Sequence, residues 1–275
     1  MTRRIDLHVH TTASDGSMSP TEAVRHAREL GLSAIAITDH DTVEGLAEGL
    51  AAGAREGLEV VPGIEVSVDY FGEGIHILGY FIDPAAPSMA ELLEWVIVER
   101  KRRNHLIADD MIADGVPVDL SELRDLNPNT VIGRPHLAAE LVRFGRARSI
   151  QDAFDRLLSP GCPYYHKREY IPLHDAVRVI REAGGKAVFA HPLQYRYPEP
   201  ELLTLTETLV EEGVVGMECL YSAYDEAQIA YLCGIAAHYG LSVTGGSDFH
   251  GIRKPHIPMG VPDVPYECLE GLRAR

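Results

Sequence analysis

The chain is poor in cysteine, in long apolar runs and in positive charge. Its four cysteines, Cys162, Cys219, Cys233 and Cys268, never form a CxxC pair. That excludes a zinc ribbon and a redox dithiol and leaves thiols that pack as small apolar residues. No apolar stretch approaches the roughly 18 residues of a membrane span, and a strand pattern begins within a few residues of Met1. Neither a signal peptide nor an anchor is expected, and the protein reads as soluble and cytoplasmic. Lys and Arg number 25 against 41 Asp and Glu, a net charge of -16. Stable coating of duplex DNA is excluded, because that binding relies on basic surface and counterion release. Gly-x-Ser-x-Gly elbows and Gly-x-x-x-x-Gly-Lys phosphate loops are absent too.

What is present is enough to bury a sizeable core: 275 residues, 45% of them hydrophobic, fit one barrel or two small domains. The charge is unevenly spread. Residues 99–168 hold 12 Lys/Arg against 10 Asp/Glu, leaving 13 against 31 elsewhere. Bound divalent cations would neutralise part of that acidic remainder, and the near-neutral segment is suited to an anionic substrate.

Strand-like runs cover Ile5 to Val9, Ala34 to Thr38, Glu59 to Ser67 and Ile75 to Ile82. After a gap they resume at Lys186 to Ala190, Val214 to Leu220 and Leu241 to Gly246. Helical patterns lie between most of them. Ser19-Pro-Thr-Glu22 has capping-box spacing with proline at the first helical position, and Gly31 closes that helix. Further helices are expected over Val43 to Glu56, from Ser88 through Trp95 toward Gly115, and over Pro172 to Ala183, Glu199 to Glu212 and Asp225 to Tyr239. Between Gly115 and about residue 170 there are only short helices, Arg134 to Phe144 and Ser149 to Leu158, punctuated by Pro128, Gly133, Pro160, Gly161 and Pro163. The expected fold is α/β, seven parallel strands with outer helices, one unit short of the eight-stranded barrel. Residues 1–100 and 169–275 build the barrel, and residues 101–168 form a helical insertion.

The apolar runs repeatedly end on imidazole or carboxylate: His8-Val-His10, Asp39-His40, Glu65, His191 and Asp248-Phe-His250. Residues i and i+2 share a strand face, so His8 and His10 are able to grip one ion together. A lone histidine at such a position is more often a hydrogen-bonded core residue. Six of them, His8, His10, His40, His76, His191 and His250, joined by Asp15, Glu65 and Asp248, point to metal, since burying so many ionisable groups without cations is costly.

In order, His8-Val-His10 with Asp15, Thr38-Asp-His40, Gly63-Ile-Glu65, His76, Ala190-His-Pro192 and Ser247-Asp-Phe-His250 resemble the motifs of the polymerase and histidinol phosphatase (PHP) superfamily. The resemblance runs from residue 5 to about residue 255 and implies a distorted (β/α)7 barrel with two to three divalent ions. It implies one ion on His8, His10, Glu65 and Asp248, a second on Glu65, His76 and His191, and a third on Asp15, His40 and His250. Glu65 would bridge the first two. Such mixed donor sets suit manganese, iron or zinc, and the oxygen ligand Asp15 favours manganese or iron. Asp39 is either a carboxylate orienting an imidazole or a loop acid, Asp41 a solvated turn acid, and Glu218 a carboxylate behind the ligands.

Water bridging two such ions loses a proton near neutral pH, which implies a hydroxide nucleophile near Glu65 and phosphoester hydrolysis, with His191, Arg134 and His136 in support. Ser247 has no triad partners, because the resemblance commits Asp248 and His250 to metal. In the insertion, Gly133-Arg-Pro-His136 sets an arginine and an imidazole at a helix start, and Tyr164-Tyr-His-Lys167-Arg168 joins cations to aromatic faces. Arg134, His136 and Lys167 are therefore the expected substrate-binding residues. Arg100 to Arg103 read as a solvated helix face, His26 and His238 as structural, and His166 and His256 as alternatives for a leaving-group acid.

An insertion of this kind carrying Gly-Arg-Pro-His is similar to the nucleotide phosphatase and 5'-3' exoribonuclease branch of that family. The implied substrate is a nucleoside 3',5'-bisphosphate losing its 3'-phosphate to leave the 5'-monophosphate, or a short oligoribonucleotide. Histidinol phosphate hydrolysis and a noncatalytic metal-stabilised binding domain are the alternatives.

Overall fold

The computed structural model describes residues 3–126 and 132–275, so Pro128 lies outside the described residues. The chain forms two compact units, Met1–Leu93 with Tyr170–Arg275, and Glu94–Glu169.

The first unit is built on a nine-stranded sheet in the order β8-β7-β6-β4-β3-β2-β1-β9, with β5 paired to β3. The long strands are β1 (Arg4–Val9), β2 (Ala34–Ile37), β3 (Glu59–Tyr70), β4 (Glu73–Tyr80), β6 (Lys186–Phe189), β7 (Gly216–Tyr221) and β8 (Ser242–Gly246). Two short strands, β5 (Ile171–Pro172) and β9 (Val264–Pro265), complete it. Helices α1 (Pro20–Glu29), α2 (Leu46–Glu56), α7 (Leu173–Glu182), α8 (Glu199–Glu212), α9 (Glu226–His238) and α10 (Tyr266–Arg273) belong to this unit.

The expectation of seven parallel strands is corrected at β4, which runs antiparallel to both β3 and β6. Only Phe71 and Gly72 separate β3 from β4. A two-residue connection makes a hairpin, whereas a parallel crossover needs a dozen or more residues. The sheet closes into a barrel only at one end. There β1 meets the chain beyond β8, where His10 N-H donates to the Phe249 carbonyl (2.9 Å) and Phe249 N-H to the His8 carbonyl (3.2 Å). Gly246 permits this approach, because a Cβ there would overlap His8.

Local chemistry sets the helix ends. Ser19 Oγ accepts from Glu22 N-H (3.2 Å), and Glu22 Oε2 accepts from Ser19 N-H (2.7 Å), the expected capping box of α1. Helix α2 starts at Leu46, not Val43. The barrel core gathers Ile5, Leu7, Val61, Leu78, Val188, Leu269 and Leu272, and Tyr80 reaches through it to donate to the Leu7 carbonyl (2.9 Å).

The chain enters the second unit within α3 (Pro87–Ala113), followed by α4 (Leu120–Leu126), α5 (Arg134–Arg143) and α6 (Ile150–Ala153), which continues as a π turn to Leu158. Its core holds Ile107, Met111, Leu123, Leu137, Leu141, Leu158 and Tyr164. Arg103 is buried, against the expectation of a solvated face. No described helix is long and apolar enough to cross a membrane.

Candidate metal centre

Strand alternation in β1 sets Asp6, His8 and His10 on one face, with Ile5, Leu7 and Val9 on the other. Thr38-Asp39-His40 follows β2, His191 follows β6, and Asp248 and His250 follow β8. His76 arrives from the antiparallel β4, directly across from Ser67 of β3. All nine donors expected from the sequence meet in the first unit.

Glu65 is the hub. Its buried Oε1 lies 2.9 Å from both His76 Nδ1 and His191 Nε2. Its Oε2 lies 3.2 Å from His8 Nε2, 3.2 Å from His10 Nε2 and 3.1 Å from His40 Nδ1. Asp248 Oδ1 sits 3.3 Å from both His10 Nε2 and His250 Nδ1, and Asp15 Oδ1 is 3.2 Å from His250 Nε2. Burial opposes ionisation of Glu65 and Asp248, yet the surrounding imidazoles hold both well below the usual carboxylate range. Burial likewise penalises a charge on His10, but contact with Asp248 and Glu65 lifts it to about 9. His40 is pushed down to about 3, chiefly by burial.

The donors fit divalent cations on a direct observation. His10 Nε2 is buried and faces two carboxylate oxygens without making a hydrogen bond, and His10 Nδ1 and His250 Nε2 are buried without one as well. Lone pairs converging in this way are costly without a cation between them. Three donor groups, each with ligand atoms within 4.8 Å of one another, could hold ions: His10, Asp15, His40 and His250; His8, His10 and Glu65; His40, Glu65 and His76.

Buried groups behind the donors fix their orientation. Glu218 on β7 contacts His8 Nδ1 through Oε1 (2.9 Å) and accepts the His191 backbone N-H on Oε2 (2.8 Å). It fills the supporting position anticipated for it. Its bond helps to hold His191 at φ 29°, and Asp248 sits at φ 60°, both costly for residues with a side chain. Asp248 Oδ2 accepts from Tyr221 Oη (2.7 Å) and Lys254 Nζ (2.9 Å).

Asp39 takes its alternative role as a loop acid, buried rather than solvated, and Asp41 does not have the role expected of it. Asp39 accepts from Thr11 N-H (2.7 Å) and from the Ser14 hydroxyl (2.6 Å), so it braces the loop after β1, not an imidazole. Asp41 is buried, not solvated, and accepts from Ser67 N-H (2.9 Å). Sequence reasoning missed Asp6, although it alternates with His8 and His10. Lys254, Tyr221 and Tyr195 were missed as well, and lie outside any strand-end pattern.

The remaining expected residues belong to the second unit. Gly133 N-H donates to His136 Nδ1 (3.2 Å), so His136 helps cap α5, and the Arg134 guanidinium lies 5.8 Å from the Phe154 ring centre. Lys167 is exposed. Tyr164 offers no stacking face: it is buried in the unit's core and its hydroxyl donates to Asp114 (2.8 Å). His166 is held by Asp110 at 2.6 Å, and His256 is exposed.

The family model for the PHP domain matches residues 6–116. The chain is 35% identical over 250 residues to a 5'-3' exoribonuclease of Haemophilus influenzae, covering 91% of each. It is 34% identical over 266 residues to a 3',5'-nucleoside bisphosphate phosphatase of Chromobacterium violaceum, covering 96% of this chain and 93% of that protein. A phosphoribosyl 1,2-cyclic phosphate 1,2-diphosphodiesterase of Eggerthella lenta is 35% identical over 263 residues, covering 94% and 98%. A crystal structure from Bifidobacterium adolescentis, described as a candidate metal-dependent phosphoesterase, superposes with a TM-score of 0.86 at 29% identity over 99% of this chain and 96% of that one. With identity at this level across nearly the whole length of these relatives, and with the family's ordered motifs meeting around Glu65, the chain belongs to the PHP family.

Proposed function

We propose that this PHP protein removes the 3'-phosphate of nucleoside 3',5'-bisphosphates, leaving the 5'-monophosphate, and acts as a 5'-3' exoribonuclease on short RNA. It is a phosphoester hydrolase. The observation that carries the reading is the Glu65 carboxylate with two imidazoles on one oxygen and three on the other, together with full-length similarity to a bisphosphate phosphatase and an exoribonuclease.

His8, His10, Glu65 and Asp248 would hold one ion, Glu65, His76 and His191 a second, and Asp15, His40 and His250 a third, manganese being the metal that the oxygen ligand Asp15 favours in this mixed set. When bound, such ions lower the pKa of water toward neutrality and screen the phosphoryl oxygens. Glu65 holds the donors of the first two ions in one constellation. Glu218 fixes the ring of His8 and the backbone of His191, which with Glu65 holds both donors in place. Lys254, beside Asp248 and part-exposed, adds positive charge at the mouth for the phosphoryl group. Arg134 in the second unit, with Lys167 and His136, is assigned the substrate's other phosphate, for which a guanidinium fork is suited. A cytoplasmic location fits such substrates.

Turnover by the manganese-loaded protein tests this. Adenosine 3',5'-bisphosphate and short 5'-phosphorylated RNA should be hydrolysed and histidinol phosphate should not. Arg134→Ala should raise KM for the bisphosphate roughly 10- to 100-fold, the value of a charged hydrogen bond, and leave a simple aryl phosphate unaffected. A large preference for histidinol phosphate would overturn the substrate assignment, and a preference for phosphoribosyl cyclic phosphate would transfer it to the reaction named for the Eggerthella relative. No phosphate release from any phosphoester with any divalent metal would indicate a binding domain.

A further inference from the structure

The β3–β4 hairpin carries an aromatic cleft that the hydrolytic centre does not use. Phe71 and Gly72 form its turn with φ 48° and 85°, and Gly72 N-H donates to Asp69 Oδ2 (3.2 Å). Two consecutive positive φ values call for Asn-Gly or Gly-Gly. Phenylalanine here is strained, and it is 90% exposed. Two unfavourable choices at one position point to a contact that the ring makes with something else. Tyr70 meets Phe71 edge-on at 4.8 Å, and Tyr197 stands 6.4 Å from Tyr70. With Glu73 and Glu201 these rings line a cleft of about 410 Å³.

The cleft is joined to the centre by a run of rings. His191 lies 5.4 Å from Tyr195, and Tyr195 lies 6.2 Å from Tyr197. Tyr195 Oη also accepts the His76 N-H (2.8 Å), and Tyr197 Oη donates to Glu73 Oε2 (3.0 Å). Tyr70 follows Glu65 by five strand residues, a span of about 17 Å at ~3.3 Å per residue. Stacked nucleotides advance ~3.4 Å each, so this is about five of them, and fewer in an extended strand. The base of a nucleotide reacting at Glu65 falls short of the cleft; Tyr70, an odd number of residues from Glu65, faces the other side of β3, so a downstream base would reach it along the Tyr195 and Tyr197 rings.

We propose that this cleft is a base-binding subsite for single-stranded RNA. A downstream nucleobase stacks on Tyr70 and Phe71 with its exocyclic amine toward Glu73 and Glu201. The rings supply stacking that tolerates any base. The two carboxylates repel phosphate and accept from the amino groups of adenine, cytosine or guanine. The inference rests on the exoribonuclease part of the function proposed above and extends it to substrate length.

The test uses the full-length protein and Phe71→Asn, a change that suits the turn and removes the ring. Binding of 3'-labelled, 5'-phosphorylated oligoadenylates of two to six nucleotides is followed by fluorescence anisotropy in chelator, and kcat/KM is measured with manganese. Affinity of the native protein should rise with length, hexauridylate should bind more weakly than hexaadenylate, and Phe71→Asn should weaken hexaadenylate on the order of ten-fold. Kinetics on adenosine 3',5'-bisphosphate should not change. Equal binding of hexaadenylate by both proteins, or the same loss on the bisphosphate, would overturn the subsite. A flat length series with active bisphosphate turnover removes the subsite and leaves the phosphatase standing; length-dependent binding lost in Phe71→Asn, without any turnover, does the reverse.

Discussion

Glu65→Gln should lose more than about 100-fold in turnover, since even partners one step behind a metal ligand are worth 10- to 100-fold. The change keeps the shape of the side chain, so the difference is electronic. Five imidazole nitrogens lie 2.9 to 3.2 Å from the two oxygens of this one buried group. An anion satisfies all five surroundings at once. An amide has no charge to offer a cation and turns two N-H bonds toward ring nitrogens on one side. Metal content by elemental analysis should fall together with turnover, while the hydrophobic core, which does not involve Glu65, keeps the outer fold intact. Full occupancy with full activity would remove the bridging role.

The second large effect falls on stability. Asp6→Ala should cost roughly 3–5 kcal/mol, since it leaves four buried donors unpaired at about 1–3 kcal/mol each before the interior relaxes. Asp6 is fully buried and accepts four hydrogen bonds, from His8 N-H (3.1 Å), Ser247 N-H (2.9 Å), Gly260 N-H (2.8 Å) and the Ser247 hydroxyl (2.5 Å). Burial pushes its carboxyl above the usual range, and the four donors work against that shift. It joins β1 to the chain after β8 just where the barrel closes. Alanine would strand three backbone N-H groups and a hydroxyl in the interior, each desolvated without a partner. The melting temperature in chelator should drop by on the order of 10 °C, given about 2–4 °C per kcal/mol for a chain somewhat smaller than this one. Asp6→Asn should lose less, because one oxygen remains to accept, although its amide must face backbone N-H in either orientation, Gly260 beside the Ser247 hydroxyl or His8 with Ser247. An unchanged melting curve for the alanine variant would show that barrel closure does not depend on this carboxylate.

These two acids show what could and could not be read along the chain. Glu65 was legible because it stands in an ordered set of donors at strand ends. Asp6 lies two residues before His8 in the same alternation, yet it looked like one polar interruption in an apolar strand, since its partners are 241 and 254 residues away. Distance in sequence also hid the pairing of His8 with Glu218. The direction of β4 was legible in principle, from the two-residue connection Phe71-Gly72, and was obscured by the parallel pattern around it. By local sequence Asp41 and Tyr164 read as surface groups, because a turn acid and an aromatic in a Gly- and Pro-rich loop usually are. The structure buries both, Asp41 accepting from Ser67 and Tyr164 donating to Asp114.

Periodicity and residue type by themselves determined the alternation of strands and helices, the cap of α1 and the bounds of α8, because those depend on neighbours within a few positions. Tertiary structure alone decided which carboxylate each ring faces, how the barrel closes through Asp6, and that an exposed Phe71 sits at the tip of a cleft. Each of these requires groups far apart in the chain to share a few ångströms of space, and local spacing carries no record of that.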